Sequence, residues 1–561
     1  MSIRRGIVAL TCGFSAFAAP IAFSDDSGEA VSRHVLLVSI DGMHALDFRN
    51  CAIANTCPNL AELAGTGVNY TRTSTSKPSD SFPGLMAIVT GGTPKLVGAY
   101  YDVAYDRVLA PPAVDTGNGV LHGSCIACQP NGTRTEYEEG NDIDQTMLNG
   151  GGPYSPYDGG VKSIDPNKLM RDPFNGCAPV YPWNFIRANT IFGVIHKAGG
   201  YTAWSDKHAA YTAVSGPTGT SVPSNLDDYY SPEVNSNSIP LPGVKTATGL
   251  DCSSLPNNNG GDWTTDFDNI KCYDQLKVNA VLNWIQGKTH LGGGKGRVPE
   301  IFGMNFQAVS VGQKLIESGV KGGYTDAAGT PTFSMEAEIK FVDAAIGQWV
   351  NELKKQRLLD STTIIITAKH GQSPIDTNRF FPIPGHSGTN GTPPSALLGA
   401  AFLPDSEINQ IGATEDDISL LWLSPGASTL AAVGLLEANA KAAGIGQIFY
   451  GPSLEAIYGK PGLPAAGGDP RTPDIIVTPN VGVIYTGSLK KQAEHGGFAQ
   501  DDTNVILLVS NPSLKPRTVT SFVETSQVAP TVLKILGLDP SALDAVRKEG
   551  TPVLPGLHFG E

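Results

Sequence analysis

Two hydrophobic patterns alternate along the chain, one typical of helices and one typical of buried strands. Within residues 335–358, apolar side chains recur every three or four positions, which predicts a helix with one face on a core; they are Ile339, Val342, Ile346, Trp349 and Leu353. Continuous apolar runs begin at residues 34, 363 and 504 and stop at polar residues, which predicts fully buried strands. This alternation favours an α/β fold with a largely parallel central sheet and helices on both faces.

Two polar stretches interrupt the pattern. Residues 111–180 and 216–265 are rich in glycine, proline, asparagine and aspartate and show little periodicity, so they are predicted to be loop insertions. The 561 residues are enough for two or three average domains, or for one large domain with insertions.

The N-terminus has the pattern of a secretory signal peptide. Arg4 and Arg5 precede an apolar stretch over residues 6–19, and small residues typical of cleavage sites follow, so residues 1–24 are predicted to be removed. No other segment approaches the roughly 20 apolar residues needed to cross a bilayer. We therefore expect a soluble mature protein with no membrane partner, secreted or periplasmic.

Cysteine spacing suits an oxidising compartment. Two close pairs, Cys51 with Cys57 and Cys252 with Cys272, are most simply interpreted as disulfides that close loops. Cys177 is expected to pair with one of Cys125 and Cys128, which leaves one thiol over.

Net charge narrows the class of partner. The formal charge is −14 and no run of basic residues occurs, which argues against a nucleic-acid duplex as partner. A small anion attracted by local lysines remains compatible with this composition.

Four segments carry the candidate chemistry. The first strand ends at Asp41, and the strand that begins at residue 363 runs into Lys369-His370-Gly371. Between them lies Asp80-Ser81-Phe82-Pro83-Gly84, and near the C-terminus lies Glu494-His495-Gly496-Gly497. Polar residues at the carboxyl ends of parallel strands share one edge of a sheet, where α/β proteins place their sites.

In content and order these segments resemble the nucleotide pyrophosphatase/phosphodiesterase branch of the alkaline phosphatase superfamily, whose members hydrolyse phosphate esters with two zinc ions. The resemblance implies one alkaline phosphatase-like α/β domain over residues 25–561, acting on a small anionic ester. It implies Ser81 as the nucleophile. It also implies metal-ligand roles for Asp41, His370 and His495.

Several positions depart from the family pattern. The family's metal turn reads Asp-His-Gly, whereas here Lys369 stands in place of the aspartate. Ser310 and Lys314 align with an aspartate and a histidine of the second metal site, and Asp102 aligns with an asparagine that holds a phosphoryl oxygen. A protonated lysine has no lone pair for a metal, so the ligand set is incomplete and implies one zinc ion or none. The ammonium of Lys369 could instead neutralise Asp41, bind Ser81 or meet the substrate.

Ordinary structural roles compete with these interpretations. Asp41 and Ser81 could be a strand-end carboxylate and a helix-starting residue, and each histidine could be a satisfied core residue. A further tripeptide, Asp206-Lys207-His208, could bind substrate or metal, or be a salt-bridged loop.

Three hypotheses of function follow. The first is a hydrolase of phosphate diesters or related esters that uses Ser81, with Lys369 and Asp102 in the catalytic site. The second is an inactive anion-binding relative. The third is a hydrolase of another ester, such as a sulfate or phosphonate.

Overall fold

The structure is a computed structural model that describes residues 31–117, 119–123, 128–137, 161–255, 262–294 and 296–558. The predicted signal peptide, Cys125 and part of the first predicted insertion lie outside the described residues. Within the described ranges, no helix is long and apolar enough to cross a membrane.

Eight strands form the central sheet. In chain order they are β1 (His34–Ile40), β2 (Gly67–Tyr70), β3 (Ala203–Ser205), β4 (Asp228–Tyr230), β5 (Ile301–Phe306), β6 (Thr362–Thr367), β11 (Leu508–Ser510) and β12 (Arg517–Val519). Their spatial order is β12-β2-β11-β6-β1-β5-β3-β4. The block from β6 to β4 is parallel, and β11 runs antiparallel to both of its neighbours.

Helices cover both faces of this sheet, as predicted. Over all the described residues, the α-helices of seven residues or more are α1 (Ala45–Ala54), α2 (Pro58–Gly65), α3 (Ser81–Thr90), α4 (Ile191–Lys197), α5 (Phe267–Ile285), α6 (Ala308–Lys314), α7 (Phe333–Gln356), α8 (Thr429–Ala438), α9 (Pro452–Tyr458) and α10 (Val528–Ile535). One apolar core contains α5 and α7 on one face, and a second core contains α3 and α10 on the other. The α/β fold class is therefore confirmed.

A second, smaller sheet was not predicted. It has four antiparallel strands, β7 (Thr414–Glu415), β8 (Ser419–Leu421), β9 (Ile445–Tyr450) and β10 (Ile475–Pro479), in the order β7-β8-β10-β9. Its two faces pack on separate apolar clusters, one of which contains Tyr100 and Tyr101. Short two-stranded ribbons and short α- and 3₁₀-helices make up the remaining regular structure of the described residues.

Three disulfides close loops around the sheet. Cys51 is bonded to Cys57 and Cys252 to Cys272, which confirms the predicted pairs. Cys177 is bonded to Cys128, one of its two predicted partners.

Candidate active site

The site forms where two neighbouring strands end. In the parallel pair of β1 and β6, Ser39 lies opposite Thr367. Two residues further on, this register brings Asp41 and Lys369 out of the sheet side by side, with His370 next. The sheet edge thus presents a carboxylate, an ammonium and an imidazole together.

Ser81 reaches this edge from the start of α3. The carboxylate of Asp80 accepts a hydrogen bond from the backbone N–H of Phe82 at 3.0 Å, which caps the helix. A Cβ atom on Gly84 would lie 2.2 Å from the carbonyl oxygen of Lys369, so glycine permits this close approach of α3. Local capping and one glycine therefore hold Ser81 against the end of β6.

The Ser81 hydroxyl has two partners. Its Oγ lies 3.1 Å from Nε2 of His370, and Nζ of Lys207 donates to it at 3.2 Å. All three side chains are buried. Burial lowers the pKa of Lys207 to about 7, although the carboxylate of Asp41 opposes the shift.

Lys369 is fully buried between two carboxylates. Its Nζ donates to Oδ1 of Asp206 at 2.9 Å and lies 3.9 Å from Oδ2 of Asp41. The same ammonium lies 3.9 Å from the ring centroid of Tyr211, within cation–π range. The buried positive charge of Lys369 is therefore matched by neighbouring negative charge.

Asp41 is held as a carboxylate. Oδ2 accepts hydrogen bonds from the side-chain amides of Asn305 at 3.0 Å and Gln307 at 2.5 Å, whereas Oδ1 is buried and has no hydrogen-bond partner among the described residues. Burial favours a higher pKa for Asp41, but the charge of Lys369, with other nearby cationic groups, outweighs burial and holds the pKa well below its usual range.

The two predicted metal-ligand histidines lie close together, with their rings tilted by 37°. The ring centroids of His370 and His495 are 4.0 Å apart, and Nδ1 of His495 lies 3.5 Å from Oδ1 of Asp80. Burial lowers the pKa of His370 to about 4 and places the pKa of His495 well below its usual value. Both imidazoles are therefore neutral at pH 7.

Asp102 lies beside this cluster, next to Asp80. Its backbone N–H donates to Oδ2 of Asp80 at 3.0 Å, and its own Oδ1 accepts from the backbone N–H of Val103 at 2.6 Å. Burial raises the pKa of Asp102, which favours the protonated form. A protonated carboxyl can donate a hydrogen bond, as can the amide of the asparagine with which Asp102 aligns.

The two positions that align with ligands of the family's second metal carry other side chains, Ser310 and Lys314. Ser310 donates to the side-chain carbonyl of Gln372 at 2.8 Å and is buried on α6. Lys314, one turn later, lies 4.0 Å from Oε2 of Glu494. Neither residue offers the carboxylate or imidazole that the aligned family positions supply.

These donors do not fit the two-zinc centre that the resemblance implies. Zinc in proteins takes four ligands in tetrahedral geometry, from thiolate, imidazole or carboxylate groups. Among the described residues, no group of three or more histidine, cysteine, aspartate or glutamate side chains is arranged to hold a metal ion. Lys369 adds a positive charge 3.9 Å from Oδ2 of Asp41, a predicted ligand.

Sequence reasoning missed the part played by Lys207. Its tripeptide directly follows β3, which lies two strands away from β1 in the sheet, and that position was the available signal. Asp206 binds Lys369, Lys207 contacts Ser81, and Nδ1 of His208 lies 2.6 Å from Oε1 of Glu233. Asp206 thus forms a salt bridge, as one of the two interpretations predicted, whereas the contact of Lys207 with the Ser81 hydroxyl was not predicted.

The fold, with a serine at the edge of its central sheet, defines an alkaline phosphatase-like α/β protein. The family model for type I phosphodiesterases/nucleotide pyrophosphatases matches residues 35–122 and 187–501, and the chain belongs to that family. The predicted resemblance is thereby confirmed.

The chain is also similar to solved structures. Murine ectonucleotide pyrophosphatase/phosphodiesterase 5, as an inactive variant in complex with AMP, matches with a TM-score of 0.50 and 12% identity, over 90% of this chain and 96% of that one. The human protein of the same name matches with a TM-score of 0.49 and 13% identity, over 90% and 95% of the two chains. No curated protein matches the chain in sequence.

Proposed function

We propose that this protein is a secreted hydrolase of phosphate diesters or related small anionic esters, with Ser81 as its nucleophile. The contact of the Ser81 hydroxyl with His370 and Lys207 carries this proposal. A buried hydroxyl beside a neutral imidazole and an ammonium is equipped for nucleophilic attack, because one partner takes a proton and the other stabilises negative charge.

The substrate class follows from charge and from family membership. The buried amines of Lys207 and Lys369 both lie over the ring of Tyr211, and that of Lys207 contacts Ser81, which suits an anionic group rather than a neutral one. One structural relative has been solved with AMP, a small phosphate ester. Burial raises the pKa of Asp102, and in its neutral form this carboxyl would donate a hydrogen bond to a phosphoryl oxygen.

Secretion is supported by two observations of different kinds. The first 24 residues have the pattern of a signal peptide, and three disulfides close loops in the described chain. Disulfides form and persist in oxidising compartments, so we propose a secreted or periplasmic location.

Hydrolysis of bis(4-nitrophenyl) phosphate by the full chain tests the proposed reaction. Ser81→Ala should lower kcat/KM by at least about 10³-fold, because the variant has no nucleophile at that place. Ser224→Ala, at an exposed loop position, is the matched control and should keep full activity. Equal rates for the wild type and Ser81→Ala would refute the role of Ser81.

The incomplete metal-donor set favours a second candidate, an anion-binding protein without turnover. In that case neither AMP nor an aryl phosphodiester would be hydrolysed, and Ser81→Ala would leave the Kd for AMP nearly unchanged. Calorimetry with AMP and with inorganic phosphate, beside the hydrolysis assay, separates the two candidates. A panel of phosphate, phosphonate and sulfate esters identifies the ester that is cleaved.

A further inference from the structure

The hydrogen-bond geometry at Ser81 specifies how its hydroxyl is activated, which is an inference that rests on the proposed function. Nδ1 of His370 lies 2.9 Å from the carbonyl oxygen of Gly371. A carbonyl oxygen only accepts hydrogen bonds, so Nδ1 carries the ring proton. The lone pair of Nε2 is then directed at Oγ of Ser81, at 3.1 Å.

The second partner of Ser81 has the opposite character. A protonated amine has three donors and no acceptor, so the ammonium form of Lys207 donates to Oγ at 3.2 Å. Of the two partners that this hydroxyl has among the described residues, only Nε2 of His370 then accepts its proton. The hydroxyl lies between a base and a cation, and both partners are buried.

Lys369 completes the arrangement from the side of the sheet. Its Nζ donates a hydrogen bond to Asp206 at 2.9 Å and lies 3.9 Å from Asp41. Lys369 occupies the position of the family's aspartate, which binds a metal. A fixed ammonium supplies positive charge at this place, and it supplies no coordination site.

We propose that Ser81 is activated without a metal ion, with His370 as general base and Lys207 as the donor that stabilises charge on the reacting oxygen. This assignment replaces the metal-ligand role that the resemblance implies for His370. Lys369 acts as a positioning residue, because it holds Asp41 and Asp206 and touches no reacting atom.

The chemical steps balance with water as the only co-reactant. Oγ of Ser81 forms a bond to phosphorus while its proton passes to Nε2 of His370. The ester P–O bond on the opposite face breaks, and the alcohol oxygen leaves with the electron pair and takes a proton from solvent. Water then attacks phosphorus from that face and gives a proton to solvent, while Oγ of Ser81 departs and recovers its proton from His370.

A covalent probe separates activation of Ser81 from turnover. The full chain is stripped of metal with EDTA and phenanthroline, its metal content is measured by mass spectrometry, and it is treated with an alkyl fluorophosphonate. Attack by Ser81 forms the O–P bond and expels fluoride, so intact mass and peptide mapping report one adduct on Ser81. We expect the stripped wild type to be labelled, and to hydrolyse bis(4-nitrophenyl) phosphate, as fast as before stripping.

Variants test the two assigned roles. His370→Gln should slow labelling by about 10²- to 10⁴-fold, because glutamine accepts no proton at pH 7. Lys207→Gln should slow it by about 10²- to 10³-fold, and Lys207→Arg should recover part of the rate because it retains a charged donor. Lys340→Gln, which removes an exposed partner of Glu336 on α7, is the matched control and should label normally. Thermal melting of each variant shows whether it is folded.

Each outcome bears on a different claim. Labelling and hydrolysis that both vanish on stripping and return only with zinc would overturn metal-free activation and leave the proposed function standing. Labelling of stripped protein without hydrolysis of any ester would support the activation of Ser81 and refute the proposed function. Absence of labelling and of hydrolysis, with or without zinc, would overturn both.

Discussion

The Nζ of Lys369 lies 2.9 Å from Oδ1 of Asp206, and both side chains are fully buried. The pair joins the end of β6 to the residue after β3, and the same ammonium lies 3.9 Å from Asp41. Three charged groups at one sheet edge therefore depend on one another for compensation, since a buried charge is costly when its partner is removed.

The first prediction concerns the contribution of the Lys369 ammonium to stability. Lys369→Met should lower the free energy of unfolding by about 3–5 kcal/mol, because it leaves Asp41 and Asp206 buried without their shared cation. Urea unfolding at pH 7 measures the loss. Lys355→Met, at an exposed position of α7, should change stability little. A loss no larger than that of Lys355→Met would show that other groups compensate the two carboxylates.

The second prediction is the pH dependence of hydrolysis under metal-free activation. His370 must be neutral to accept the proton, and its pKa is about 4; Lys207 must be protonated to donate, and its pKa is about 7. The kcat/KM for bis(4-nitrophenyl) phosphate should thus rise through pH 4, fall through pH 7 and form a bell between them.

One substitution tests whether Lys207 causes the fall of kcat/KM above pH 7. Lys207→Arg should extend the plateau above pH 7, because a guanidinium stays charged throughout this range. Rates of both proteins from acid to alkaline pH give the comparison. A wild-type profile that keeps rising above pH 7 would exclude the ammonium of Lys207 as the required donor.

The sequence predicted the core of the site because its members follow strands. Asp41 and Lys369 come directly after buried apolar runs, and parallel strands bring such residues together at one edge. Lys207 also comes shortly after a strand, β3, but its contact with Ser81 spans 126 residues and depends on the order of strands in the sheet. The hydrophobic pattern of a sequence predicts where strands end, whereas tertiary packing sets the order of the strands in the sheet.

Errors in the predicted elements have the same origin. The small sheet was missed because β7 and β8 are only two and three residues long, and because β9 is partly exposed. The strand predicted over residues 504–509 is shorter, Leu508–Ser510, since Asn504 and Val505 make only isolated bridges to Ser74 and His44. A run of apolar residues predicts that a segment is buried more reliably than it predicts which of its residues pair with a neighbouring strand.

The third prediction concerns two buried aspartates, Asp417 and Asp502, which lie near the segment Glu494–Gly497. Asp417 and Asp502 approach each other beside Gly497, where an added Cβ would lie 2.4 Å from Oδ2 of Asp502 and 2.6 Å from Oδ2 of Asp417. Burial, with the negative charge of Asp501, raises the pKa of Asp502 to about 7, although the interaction with Asp417 opposes the shift. The folded chain therefore binds a proton more tightly at Asp502 than the unfolded chain does.

The sign of the stability change follows from that difference. The contribution of Asp502 is fully present below its unfolded pKa of about 4 and is lost as pH rises to about 7, with a slope of at most about 1.4 kcal/mol per pH unit. Urea unfolding from pH 4 to pH 8 should show a steeper fall for the wild type than for Asp502→Asn. Glu455→Gln, at an exposed position, should keep the wild-type slope. Equal slopes for Asp502→Asn and the wild type would contradict the raised pKa.

The fourth prediction concerns a disulfide. The bond between Cys252 and Cys272, which are 20 residues apart in sequence, ties the second predicted insertion to α5. Replacing both cysteines by serine should lower the free energy of unfolding by about 3 kcal/mol, the amount expected for closing a loop of this length. Denaturation of the oxidised wild type and the double variant measures it, and a non-reducing peptide map verifies the pairing. An unchanged unfolding midpoint would mean that the loop is ordered without its bond.

The last prediction reverses the departures from the family pattern. Ser310 and Lys314 lie one turn apart on α6, at the positions aligned with an aspartate and a histidine, and Lys369 stands at the aligned aspartate of the other metal. The triple variant Lys369→Asp, Ser310→Asp, Lys314→His would supply two carboxylates and an imidazole, and it would remove two ammonium groups that repel a cation. We expect it to bind two zinc ions per chain by equilibrium dialysis, whereas the wild type should bind fewer. The neutral variant Lys369→Asn, Ser310→Asn, Lys314→Gln removes the same charges without restoring the carboxylate and imidazole ligands, and it should not gain the second ion. Two zinc ions on the wild type would show that other side chains complete the centre and that the three departures do not decide its metal content.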